Sequence, residues 1–311
     1  MSRIQRCQRY FLILFSVAVL FVGCKSVDKA SQSDKLYIVT TTGMIADGIR
    51  NICGDAAEVV PLMGSGIDPH YYKATQSDLE KLRKADIIFY NGLLLEGKMT
   101  AIFEKLAKTK AVFAVSNNLS KDQIRQDPQN PGVSDPHIWF DVSLWSSCMS
   151  YAANLLVEKD PANEAIYKAN AEQYLGDLKE LHVRTKNKIS EIPDSQRVLI
   201  TTHDAFGYFG RAYDMEVHGL QGISTVSDIG LADIKEMTEM IISRNIKAVF
   251  VESSVSDRDI NAVISGCKEK GHQLKLGGVL YADAMGEDGT VEGTYIGMVN
   301  SNVDKIVNAL K

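Results

Sequence analysis

Between Asp160-Pro161 and Pro193 the chain has no internal proline and a single glycine, Gly176. No other stretch limits the fold as strongly. Asp160 offers an N-cap, and Pro161 falls at the first helical position, where a missing N–H costs nothing. Ile166, Ala169, Gln173, Leu178, Leu181 and Thr185 share a helical face, and Pro193 ends the run. One helix over 161–192 would span about 45 Å at about 1.5 Å per residue. Such a connection holds two bodies at a fixed spacing and resists wide hinge closure, unlike a pair of short extended crossovers.

On both sides of it, short apolar runs alternate with helical patterns. Leu36–Thr40, Ala57–Met63, Asp86–Tyr90 and Ala111–Val115 read as strands, with helices over Met44–Cys53, Gln76–Lys84 and Gly97–Lys108. Strands Val198–Thr202, Lys247–Val251 and Gln273–Leu280 follow the long helix, with helices over Ala205–Tyr213, Leu231–Arg244, Asp257–Lys270 and Tyr295–Leu310. This alternation predicts an α/β protein of two lobes, 34–160 and 193–311, with mostly parallel sheets flanked by helices.

The start of the chain sets the compartment. Arg3, Arg6 and Arg9 precede an apolar run from Tyr10 to Val22, which the pair Gly23-Cys24 closes. The run is short for a membrane span and has the layout of a secretory signal over 1–23. Leu20-Phe21-Val22-Gly23-Cys24 is a loose lipobox, so Cys24 is the expected acylation site, with a polar tether over 24–33; an uncleaved anchor is the alternative. Loss of the signal takes the net charge from −5 to −8, which argues against a nucleic-acid partner. Cys53, Cys148 and Cys267 then remain at wide spacings, giving neither a disulfide framework nor a C-x-x-C site. Cys148, within an apolar helical pattern, and Cys267, near a helix end, read as buried small hydrophobes.

Three of the six histidines have an unusual setting. Asp68-Pro69-His70-Tyr71-Tyr72 and Asp135-Pro136-His137-Ile138-Trp139 repeat the form Asp-Pro-His-x-aromatic. Proline fixes its own φ and keeps the preceding Asp extended, so each histidine leaves a stiffened turn. His203 directly follows the strand ending at Thr202, and Asp283 lies just beyond the strand ending at Leu280, where open α/β sheets bind ligands. Together they complete a four-ligand cation site whose donors suit Zn²⁺ and also admit Mn²⁺ or Fe²⁺. Asp141, Asp204 and Glu252 are candidates to hold the second ring nitrogens. His182 and His272 read as solvated, and His218 as a core or cleft histidine.

These residues closely resemble the cluster A-I substrate-binding lipoproteins of ABC importers, the TroA/PsaA/ZnuA-like group. The likeness runs from Leu36 to Lys311 through Gly66–His70, Asp135–Asp141, Thr202–Phe209 and Asp283–Gly286. It implies that His70, His137, His203 and Asp283 take the family's ligand positions and that the long helix is its rigid connector. It also implies an extracytoplasmic, membrane-anchored monomer serving a permease and a cytoplasmic ATPase. Zinc-dedicated members often carry a His-rich loop, whereas Ser116–Ser134 has no histidine. Manganese-dedicated members commonly have glutamate where His203 stands, so the resemblance is greatest to the TroA-like zinc/manganese branch.

Other readings of the same residues are a secreted zinc hydrolase, a binder of metal chelates, and a surface adhesin. Four protein ligands leave no open position for a catalytic water, and no H-E-x-x-H or G-x-S-x-G occurs. No segment forms a separate adhesive module. No phosphate-binding P-loop is present, so the energy for transport must come from a partner.

Overall fold

The computed structural model describes residues 35–127 and 130–311. The signal segment 1–23, Cys24 and the tether 24–33 lie outside the described residues.

β1 (Leu36–Thr40), β2 (Ala57–Pro61), β3 (Ile87–Tyr90) and β4 (Ala111–Ala114) form a parallel sheet in the order β2-β1-β3-β4. Its helices are α1 (Gly43–Cys53), α2 (Gln76–Lys84), α3 (Thr100–Leu106) and α4 (Val142–Lys159). A capping box between Thr75 and Asp78 starts α2, satisfying N–H groups that the helix end would otherwise leave unpaired. Next comes α5 (Glu164–Ile189), introduced by a 3₁₀ turn at Pro161–Asn163. The second lobe has β5 (Val198–His203), β6 (Glu216–Gln221), β7 (Ala248–Glu252) and β8 (Lys275–Leu280). β5 pairs with β6 and β7 with β8, both parallel, and β5 lies beside β7. Around them are α6 (Gly207–Tyr213), α7 (Leu231–Ser243), α8 (Arg258–Glu269) and α9 (Tyr295–Leu310).

Period-two alternation decides which core each strand residue enters. Ile38, Ile87 and Phe89 face a shared central core, while Val39 and Ile88 face an outer core under α2 and α3. In the second lobe Leu199, Ala248 and Phe250 join the same central core, and Val198, Ile200, Val249 and Val251 face an outer core with α7 and α8. The long helix runs through this central core. Tyr167, Ala171, Tyr174, Leu178, Leu181, Thr185 and Ile189 are its buried face, packing on α1 and α4 from one side and α9 from the other. Apolar packing therefore continues from the first sheet into the second lobe.

Several sequence expectations need correction. The α-helical part of the connector is 26 residues, about 39 Å long, and ends before 192. Its inner face at the first turns is one residue away from the one expected. Ile166, Ala169 and Gln173 are exposed, and Tyr167 and Tyr174 are buried instead, the Tyr167 hydroxyl donating to Asp160 at 2.5 Å. β6 is an additional strand, and it carries His218, whose Nε2 lies 2.7 Å from Glu216 Oε1. His182 is half-buried against Tyr213, with ring centroids 5.3 Å apart. His272 is half-buried too, its Nε2–H donating to the Ile246 carbonyl at 2.7 Å. The three cysteines are buried and free, and burial pushes Cys53 and Cys148 up to about 12. No helix among the described residues is long and apolar enough to cross a membrane.

Candidate metal centre

Every residue of the site lies near or beyond the C-terminal end of a strand. His70 follows β2, His137 lies beyond β4, His203 is the last residue of β5, and Asp283 is just past β8. All four are buried, and one donor atom from each lies within 4.8 Å of every other. Both Asp283 oxygens face the imidazoles: Oδ1 is 3.3 Å from His137 Nε2, and Oδ2 is 3.5 Å from His70 Nε2 and 3.4 Å from His203 Nε2. No hydrogen bond satisfies either oxygen or His203 Nε2. Buried polar atoms normally find partners, so convergent lone pairs of this kind suit a cation.

The aspartates of the two Asp-Pro-His turns do more than begin them. Asp68 Oδ1 accepts the His70 N–H at 2.8 Å, and Asp135 Oδ1 accepts the His137 N–H at 3.0 Å. Asp135 Oδ1 also lies 2.8 Å from His137 Nδ1, while Arg125 Nη1 donates to Asp135 Oδ2 at 3.0 Å. A carboxylate accepts the Nδ1 proton and thereby turns the Nε2 lone pair toward the other ligands. Glu252, at the end of β7, makes the corresponding ion pair with His203. Its Oε1 accepts the His203 N–H at 2.8 Å, and its Oε2 meets Nδ1.

Of the three expected supporting carboxylates, Glu252 alone contacts an imidazole of the cluster. Asp141 instead caps α4, its Oδ1 accepting the Ser143 N–H at 3.0 Å and the Leu144 N–H at 3.3 Å, a cap worth about 1 kcal/mol. Asp204 is half-buried and its backbone N–H donates to Gln221, but its carboxyl reaches no ligand ring. Burial pushes that carboxyl up, and Asp135 adds to the rise. Asp68, Asp135 and Arg125 went unassigned, although both aspartates stand in the repeated motif.

Two glycines permit close approach. A Cβ on Gly219 would lie 2.3 Å from the Asp204 nitrogen, and one on Gly207 would lie 1.1 Å from Arg125 Nη1. The first lets β6 lie against the strand end that carries His203. The second lets the loop before His137 sit on α6, where Arg125 N–H donates to the Tyr208 hydroxyl at 3.0 Å and that hydroxyl donates to the Asp135 carbonyl at 2.9 Å.

The charges of the cluster are strongly coupled. Burial pushes His70 down to about 4 despite Asp283. Burial also opposes charge on His137, yet Asp283 and Asp135 outweigh it and raise that group to about 9. His203 is likewise held well above the ordinary range by Glu252 and Asp283 against burial. Burial raises Asp283, but His203 and His137 hold it well below the usual carboxylate range. Beside Asp283 opens a cavity of about 260 Å³, lined from the first lobe by Met63, Ser65 and Ile67 and from the second by Met285 and Asp288.

A two-lobed, parallel-sheet body that collects three imidazoles and a carboxylate at its strand ends defines a solute-binding protein for a metal cation. The chain belongs to the family described as zinc-uptake complex component A, periplasmic, whose model matches residues 38–309. That family comprises metal-binding substrate-binding proteins of ABC importers, which work with a permease and an ATPase and are not enzymes. Over 301 residues the chain is 44% identical to the manganese-binding lipoprotein MntA of Bacillus subtilis, covering 96% of this chain and 97% of MntA. It is 42% identical to the zinc-binding protein TroA of Treponema pallidum over 281 residues, 90% of this chain and 91% of TroA. The solved TroA structure superposes with a TM-score of 0.86, covering 89% of this chain and 99% of that one. Fe(III)-bound YtgA of Chlamydia trachomatis, 26% identical, superposes at 0.81 over 89% of this chain and 98% of its own.

Proposed function

We propose that the protein captures one divalent transition-metal ion, Zn²⁺ or Mn²⁺, with Fe²⁺ admitted by the same donors, on His70, His137, His203 and Asp283. It then hands the ion to a membrane permease. The observation that carries this reading is the convergence of four buried donors within 4.8 Å. Imidazole favours zinc, while a carboxylate able to bind through one or both oxygens lets coordination expand, as manganese tolerates. Glu252 and Asp135 fix the rings of His203 and His137. The relatives named for manganese and for zinc support the same pair of ions, and Fe(III)-bound YtgA supports iron. Four protein ligands leave no position for the water that a zinc hydrolase activates.

In this reading the lobes 34–160 and 193–311 each contribute two ligands, and 161–192 keeps their spacing. The mature protein is a monomer held at the extracytoplasmic membrane face by lipid on Cys24. A multiply acylated cysteine anchors firmly where one chain would not.

The test is elemental analysis and calorimetry of the purified protein and its single alanine variants. One ion per chain is expected. Loss of any of the four ligands should weaken binding by at least the about 10–100-fold typical of lost supporting contacts, while His272→Ala binds as the parent does. Equal affinity in His203→Ala and His272→Ala would overturn the assignment.

A further inference from the structure

Asp283 is counted with the second lobe by its place in the chain, yet the first lobe holds the segment that carries it. The indole Nε1–H of Trp139 donates to the carbonyl of Ala282, the residue before Asp283, at 3.1 Å. The hydroxyl of Tyr295, where α9 begins, donates to the Trp139 carbonyl at 2.6 Å. The Tyr295 N–H donates to Asp47 Oδ2 on α1 at 3.0 Å, and its ring stacks on Trp145 of α4 at 5.4 Å. Between these two ends, Ser65 Oγ donates to the Met285 carbonyl at 3.1 Å, and Arg50 pairs with Asp288 at 3.4 Å. Among the described residues, the second lobe's own hold on the segment includes Asn302, which bonds both main-chain groups of Tyr281.

Trp139 also stands two residues after His137 in the repeated motif, and its ring meets the His137 ring edge-on at 5.3 Å. One buried side chain thus touches one ligand and fixes the main chain next to another. We propose that Trp139 and Tyr295 are positioning residues that set Asp283 against the histidines, so that the carboxylate ligand is aligned from the first lobe. Neither side chain donates to the ion. Trp139 fixes the Ala282 carbonyl and with it the direction in which Asp283 leaves the chain, while Tyr295 keeps the Trp139 main chain from turning. A carboxylate must meet a metal within tenths of an ångström, so a small rotation at residue 282 reaches the coordination geometry.

This inference rests on the proposed metal site, and its test separates the two. Trp139→Phe removes the Nε1–H and keeps an aromatic ring, and Tyr295→Phe removes only a hydroxyl. Tyr167→Phe, which removes a buried hydroxyl bonded to Asp160, is the control. Each protein is stripped of metal, titrated with Zn²⁺, and loaded with Co²⁺ to read ligand geometry from its visible absorption. Trp139→Phe and Tyr295→Phe are each expected to weaken Zn²⁺ by about tenfold or more, the scale of lost supporting contacts. They should also shift the Co²⁺ bands, and the double variant should fall well short of the product of the two losses, because both act through one link. Tyr167→Phe is expected to bind as the parent does. Parent-like affinity and Co²⁺ bands in both variants, alongside lost binding in Asp283→Ala, would overturn the positioning role and leave the metal site standing. Losses no larger than in Tyr167→Phe would overturn it as well. Parent-like binding in Asp283→Ala would instead remove the metal site on which the inference rests. Because Tyr295→Phe is isosteric, it decides the matter alone if Trp139→Phe does not fold.

Discussion

The two Asp-Pro-His turns begin from the same local sequence and reach different ends. In both, the aspartate accepts the N–H of the histidine two residues on. Asp135 is fully buried and spends its remaining capacity on the His137 ring and on Arg125. Asp68 directs its second oxygen across the cleft, where the Thr225 hydroxyl donates to it at 2.7 Å. The first arrangement locks one imidazole of the cluster; the second ties the two lobes beside another. The motif sets the turn, and the tertiary surroundings decide what its carboxylate does next.

The largest difference is expected from removing charge at the two aspartates. Asp135→Asn leaves His137 without a charged acceptor at Nδ1 and should weaken metal binding by about 10–100-fold. Asp68→Asn keeps the turn and a partner for Thr225, and should change affinity much less. Calorimetric titration of both variants checks the order. Equal losses would mean that the two turns are equivalent after all.

The same contrast predicts an opposite pH response in the metal-free protein. His137 is raised to about 9 from an ordinary 6.5. Its stabilisation is therefore complete below about 6.5 and lost as pH rises through about 9. His70 is lowered to about 4 from the same value, so its contribution is present above about 6.5 and lost as pH falls toward 4. Melting of the chelated protein across pH should decline on both sides. His70→Ala should flatten the acid limb. His137→Ala should soften the alkaline one, where His203 also contributes. Unchanged limbs in both variants would contradict the assignment.

Thr225→Val should have the smallest effect. It removes one hydroxyl bond to Asp68, worth about 1 kcal/mol, at the edge of the cleft. The expected result is a modest fall in thermal midpoint and faster metal release in stopped-flow chelation, with stoichiometry kept.

Much of this was legible in the sequence. Strand and helix positions followed from period and punctuation, as at α2 and α9, whose ends match the expected ones. The four convergent residues were legible because rigid turns and strand ends are few. β6 was not, because Glu216-Val217-His218-Gly219-Leu220-Gln221 lacks a β-branched run and takes its order from β5 beside it. The inner face of the long helix shifts at its first turns because Tyr167 and Tyr174 are buried there, the Tyr167 hydroxyl donating to Asp160. Asp141 was expected at a ring nitrogen, a place that Asp135 takes, for a related reason. Both are carboxylates close to His137, and only the fold shows that one faces a helix start and the other a ring nitrogen.

Competitive titration of the metal-free protein with Zn²⁺ and Mn²⁺ tests the central claim most directly. Three imidazoles and a carboxylate should hold zinc more tightly than manganese by the Irving–Williams order. The account predicts one shared site per chain that binds either ion, with zinc displacing manganese. Two independent sites, or manganese retained against equal zinc, would contradict it.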